Sequence, residues 1–222
     1  MSGPPSFSPE IGPVVDRILS LRSETPEPSP TALLVAISGI DGSGKGYCTK
    51  QIVEAVNRAG LRVVGINLDP WYHLPGRRFG GDPPGPHFYE HGFRFDELFN
   101  QLILPLKAAR TIRLDARHVG EQSIDYEDHR YEFENVDVIV LEGIFLFQAA
   151  WRDHYDLAVW IECSYETALE RAIVRGQEGL PPDETVRAFE TIYFPAERFH
   201  IERDQPQKSA DLIVVNDPGL ED

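Results

Sequence analysis

Cysteine is scarce: Cys48 and Cys163 are the two in 222 residues. Two are too few for a disulfide framework, and a reducing cytoplasm is the compartment that such usage suits. Long apolar runs are missing as well. None approaches the ~18 residues that cross a bilayer, so no membrane anchor is expected. The first ten residues lack the basic and apolar blocks of a secretory leader and are rich in Pro and Ser instead. Basic residues are outnumbered, 21 Lys and Arg against 36 Asp and Glu, for a formal charge of -15, and no Lys/Arg run offsets this. Such a surface repels nucleic-acid backbones and anionic membranes within a Debye length. Neither is an expected partner, and any phosphate must be taken at a local, focused site. The seven histidines are scattered without zinc-ligand spacing. No Gly-x-Ser-x-Gly elbow supports hydrolase chemistry, and there is no internal repeat.

What is present is alternation. Ile11, Val14, Val15, Ile18 and Leu19 fall on one helical face, and Pro26, Pro28 and Pro30 then prevent continuation. Residues 1–30 are therefore read as a helix and a Pro-rich linker, and 31–222 as one α/β domain. Two places are open to the helix: over the sheet, or against a second copy in a homo-oligomer. Thr31 to Ser38 is a continuous apolar run, predicting a strand buried on both faces. A helix from about Gly44 to Arg58 follows, then a strand from Leu61 to Leu68. Pro70 to Gly92, rich in Gly, Pro and aromatics, reads as a long functional loop. Asp96 to Ala109 is predicted helical, Thr111 to Val119 extended, Val136 to Leu141 and Leu157 to Glu162 strands. Helices at Tyr165 to Arg175 and Glu184 to about Glu202, the latter despite Pro195, precede a strand at Asp211 to Val215. Alternating strands and helices predict a parallel sheet with helices on both faces.

Gly39-Ile40-Asp41-Gly42-Ser43-Gly44-Lys45 matches G-x-x-x-x-G-K between a buried strand and a helix. The glycines let successive N–H groups turn inward on phosphate oxygens, and the helix N-terminus adds partial positive charge. Lys45 brings a cation to the β- and γ-phosphates. Gly39, Asp41, Gly42, Ser43, Gly44, Lys45, Gly46 and Tyr47 are the nucleotide-binding candidates. A Ser or Thr normally follows the lysine and binds Mg²⁺; here Gly46 has no hydroxyl.

With these residues in view, the chain over Leu33 to Asn216 resembles the uridine kinase and phosphoribulokinase group of P-loop kinases. The phosphate loop is followed by Asp69-Pro70-Trp71-Tyr72, similar to the family's D-x-F-Y. Glu142-Gly143 closes the strand VDVIVLEG like the family's I-L-E-G. Tyr193-Phe194-Pro195-Ala196 and Ala210-Asp211-Leu212-Ile213-Val214 are similar to its tyrosine and proline in a helix and its A-D-x-I-I. The resemblance implies a three-layer P-loop NTPase fold with a five-stranded parallel core of the nucleoside-kinase type. It also implies transfer of the ATP γ-phosphoryl group to a small-molecule hydroxyl with Mg²⁺.

By the same resemblance Asp69 takes the general-base position, accepting a hydroxyl proton or holding a metal-bound water. Burial at a strand end is costly for a carboxylate unless it serves a metal, so Glu142 reads as a metal ligand or else as an ordinary strand-end acid. A carboxylate at the C-terminal end of a parallel strand faces the ligand crevice, although Asp69 before Pro70 also suits a turn cap. Tyr89-Glu90-His91 resembles the family's F-D-H, placing Glu90 and His91 at the acceptor. Tyr126-Glu127-Asp128-His129 resembles its Y-D-F…H, making Tyr126 and His129 base contacts or members of a solvated loop. Tyr72 either stacks on a ring or packs the loop. Arg171 and Arg175, four apart before Gly176, match the arginine-bearing lid, where this chain has Gln177 and Glu178. Arg175 is the catalytic candidate and Arg171 a substrate contact, or they are surface residues paired with Glu170 and its neighbours. A nucleoside is the first-choice acceptor, ribulose phosphate or pantothenate the alternatives. A nucleotide-binding protein without transfer is the rival reading, motivated by Gly46.

Overall fold

Every residue of Leu33–Gly39 (β1) and of Val138–Glu142 (β5) is buried. Strands with no solvent-facing side belong inside a parallel sheet covered on both faces. In the computed structural model, which describes residues 8–26, 29–120, 123–176 and 179–220, β1 is the central strand. It pairs in parallel with β5 on one side and with Leu157–Glu162 (β6) on the other. Val63–Asn67 (β2) and Leu212–Val215 (β7) complete the sheet in the order β2-β5-β1-β6-β7. Pro28 of the linker and Gln177 and Glu178 of the lid lie outside the described residues.

The pleat of β1 sorts its side chains into two cores. Leu33, Val35 and Ile37 pack with Val14 and Ile18 of Gly12–Ser23 (α1) and with Cys48, Ile52 and Val56 of Lys45–Arg58 (α2). The N-terminal helix thus takes a face of the sheet, where full burial of Val14 and Ile18 stabilises by roughly 1.5–3 kcal/mol each. Leu34 and Ala36 face the other way, into a core shared with Pro84–His91 (α3), residues 95–109 (α4), Tyr165–Arg175 (α5) and residues 182–204 (α6). The result is a three-layer α/β fold with a five-stranded parallel sheet and helices on both faces. Among the described residues no helix is long and apolar enough to cross a membrane.

Both long helices on this second face contain a proline and survive it in the same way. In α4 a π turn, Leu98–Ile103, precedes Pro105; in α6 a π turn, Phe189–Tyr193, precedes Pro195. The wider turn shifts the hydrogen-bond ladder and places each proline in the opening turn of the next segment, where no N–H is required.

Two stretches differ from the expectation. Pro70 to Gly92 is not one loop: it holds a 3₁₀ turn at Asp69–Trp71, a helical turn at Pro75–Arg78, and α3. The proline cluster marks the start of α3, since Pro84 occupies a first-turn position. Residues Glu127–Phe133 form a strand (β4), pairing antiparallel with Ile112–His118 (β3) as a hairpin outside the main sheet. Within β4 only Tyr131 is buried, so no apolar alternation announces it.

Candidate active site

The C-terminal ends of three adjacent strands, β2, β5 and β1, open onto one cavity of about 300 Å³. Register sets the convergence: Glu142 pairs with Ile37 of β1 on one side and Asn67 of β2 on the other. Beyond β1 the chain turns through Gly42 and Gly44, with φ of +76° and +87°. These are left-handed conformations that L side chains rarely adopt. Added side chains would also strike the Ala168 carbonyl and the Asn216 amide, respectively.

The loop's amides divide into two groups. The Asp41 N–H donates to Glu197 Oε1 (2.5 Å), the Gly42 N–H to Asp41 Oδ1 (2.8 Å) and the Ser43 N–H to the Ile40 carbonyl (3.1 Å). The expected uninterrupted run of inward amides is therefore confined to the helical end. There, Cys48 N–H to Gly44 O is the first bond of the α2 ladder, and no side chain caps the helix. The N–H groups of Lys45, Gly46 and Tyr47 precede that ladder and have no intrahelical acceptor. With no acid in the first turn, this end of α2 is suited to an anion. The Ser43 carbonyl is turned away, accepting from Asn216 Nδ2 (2.6 Å) and Arg171 (3.3 Å).

Lys45 is 7% exposed and donates from Nζ to the Ile40 carbonyl at 2.8 Å. Glu142 is buried; burial pushes its carboxyl up from the usual range, and Lys45 pulls it back. Its Oε2 has no hydrogen-bond partner among the described residues. A Cβ at position 46 would lie 3.1 Å from that oxygen. The missing side chain of Gly46 is thus matched by a carboxylate leaning over the same backbone. An orphaned carboxylate oxygen beside open helix amides fits a hard divalent cation held jointly with phosphate oxygens. Asp69 opens the 3₁₀ turn after β2, its N–H held by Asn67 Oδ1 (2.7 Å), and it lines the same cavity.

Arg171 and Arg175 on α5 line the cavity too; Arg171 is tied to the loop, whereas Arg175 is exposed and bears electrostatically on Glu142. Tyr47 is on the rim, 55% exposed. Tyr72 reaches the rim with its ring against Phe93 (4.5 Å) and under the Arg78 guanidinium (4.4 Å), which is the packing alternative. The remaining acceptor candidates do not join these. Glu90 lines a separate cavity of about 680 Å³, 3.6 Å from Arg203. His91 borders a surface hollow beside His87. Tyr126 lies under the Arg94 and Arg117 guanidiniums, and His129 stacks on His118 at 4.2 Å. Asn67, Glu197 and Asn216 were not anticipated. Asn216, directly after the apolar run of β7, carried a usable signal; Glu197 is one acid among 36.

Burial pushes both thiols, Cys48 and Cys163, up to about 11. Thiolate is the reactive form. Both are expected to alkylate far more slowly in the folded protein than in urea, as mass spectrometry of the labelled chain would read.

No family model matches the chain. Its structure is similar to that of a protein described as a possible uridine kinase from Bacillus stearothermophilus, at 21% identity and a TM-score of 0.68 over 90% of this chain and 98% of that one. It is similar to a protein provisionally named as a fructose transport system kinase from Silicibacter sp. TM1040, at 20% identity and 0.69, again over 90% and 98%. It is also similar to D-glycerate 3-kinase from Cryptococcus neoformans, at 15% identity and 0.57 over 85% and 87%. The chain shares with these proteins the three-layer fold with a five-stranded parallel sheet that its motifs imply.

Proposed function

We propose that the protein is a small-molecule kinase that transfers the γ-phosphoryl group of ATP to a hydroxyl, a nucleoside being the first-choice acceptor. The observation that carries this is the meeting of open α2 amides, Lys45, Glu142 and Asp69 in one cavity at the ends of adjacent strands. Structurally similar proteins bear names of small-molecule kinases with differing acceptors, which supports the reaction class more than any one substrate.

In this reading polyphosphate takes the Lys45–Tyr47 amides, and Lys45 exchanges the Ile40 carbonyl for phosphate oxygens. The acceptor oxygen forms a bond to the γ-phosphorus as the bond to the β-bridging oxygen breaks, and Asp69 receives the hydroxyl proton. Arg175 faces the negative charge spread over the transferring group. Glu142 and Asp69 would hold Mg²⁺ together with phosphate oxygens. The cation's contribution when bound is to neutralise charge on those oxygens.

The test is ADP formation by purified protein with ATP, Mg²⁺ and a panel of nucleosides, sugars and sugar acids. Product is expected only when an accepted hydroxyl compound is present. Tight ATP binding without turnover on any acceptor would favour the rival reading, a nucleotide-binding protein, for which the side chain missing at Gly46 is the motive.

A further inference from the structure

Glu197 is a buried acid that this mechanism does not use. It lies on α6, 2% exposed, with Oε1 accepting the Asp41 N–H and Oε2 without a partner among the described residues. Charged and titratable groups bear on it from the loop, from two other helices and from its own. They are the Asp41 carboxylate from the loop, Lys45 from α2, Arg198 from its own helix and the Tyr165 phenol from α5. The Tyr165 hydroxyl is itself buried without a hydrogen-bond partner among the described residues. Asp41 and Lys45 both line the nucleotide cavity, so charge entering the cavity is felt at Glu197. A buried carboxylate beside another carboxylate and an incoming polyphosphate is disfavoured by desolvation and by like charge.

We propose that Glu197 is a positioning residue of the nucleotide site, holding the phosphate loop through the Asp41 amide and carrying a proton whenever polyphosphate is seated. This rests on the reading of the cavity as a nucleotide site. Linkage then fixes the sign. If bound polyphosphate favours the proton on Glu197, the proton favours polyphosphate equally, and nucleotide affinity falls as pH rises. Glutamine reproduces the neutral acid: it keeps an acceptor for Asp41 and has no proton to lose. Alanine removes the acceptor and leaves a buried N–H unmatched.

The experiment is titration of fluorescent ATP into the full chain at saturating Mg²⁺, for wild type, E197Q and E197A, from about pH 5.5 to about pH 9.5. Titration of the nucleotide itself is common to all three and cancels in their ratios. E197Q is expected to bind at least as tightly as wild type, with an advantage that grows with pH up to about tenfold per unit. E197A is expected to lose about tenfold to a hundredfold in affinity, with its melting temperature checked separately. Parallel wild-type and E197Q profiles, or weakening by Gln as large as that by Ala, would overturn the proposal even if E197A fails to fold. Absence of ATP binding by the wild type would instead remove the nucleotide reading itself.

Discussion

Asp69→Asn is expected to lower kcat by about 10²- to 10⁴-fold, the usual contribution of a positioned general base. The geometry around Asp69 makes the substitution informative. Its backbone is fixed from both sides, by Asn67 Oδ1 on its N–H and by the 3₁₀ turn that ends in a fully buried Trp71. Trp71 in turn donates from Nε1 to the Tyr131 hydroxyl at 3.2 Å and stacks on that ring, so the hairpin holds the turn. Asparagine is isosteric and removes only the charge and the basic oxygen. Steady-state rates with saturating ATP and acceptor read the effect. A kcat equal to wild type would remove Asp69 from proton transfer and leave it a turn residue.

Lys45→Met is expected to lower kcat/KM by about 10²- to 10³-fold, comparable to the loss of one preorganised donor to a developing oxyanion, or ~3–4 kcal/mol of transition-state stabilisation. The lysine stem is buried, so methionine keeps most of its packing. The cation also lowers the pKa of Glu142, which burial raises. Removing it therefore weakens two parts of the site at once, and the loss is expected to appear in metal dependence as well as in nucleotide affinity. Titration of ATP at several Mg²⁺ concentrations separates these. A variant as active as wild type would show that the open amides of α2 suffice alone.

The parts of the fold that were legible are those where one physical constraint dominates. Continuous apolar runs gave away β1 and β5, because burial on both faces disfavours polar residues except at the strand ends, where Ser38 and Glu142 sit. The Gly42 and Gly44 pattern was legible because only glycine accepts that backbone without strain. β4 was not, since Glu127–Phe133 buries a single side chain and has no pattern to read. The acceptor candidates show a further limit. Glu90 and His91 are adjacent in sequence yet border different hollows, because neighbouring residues on α3 point about 100° apart. The strand-end residues that the motifs single out line one cavity, whereas the placement of Glu90, His91, Tyr126 and His129 depends on tertiary packing that spacing does not encode. Glu197 was illegible for the same reason: its partner, Asp41, is 156 residues away.

The clasp between Asn216 and the Ser43 carbonyl joins positions 173 residues apart. A chain still emerging from the ribosome can make the local bonds of α2, yet the Asn216 hold on the bend before that helix waits until β7 has docked. Contacts of such high sequence separation come late and slowly. Competence for ligand should therefore be acquired among the last events of maturation, and a bound nucleotide would select for chains that have completed it.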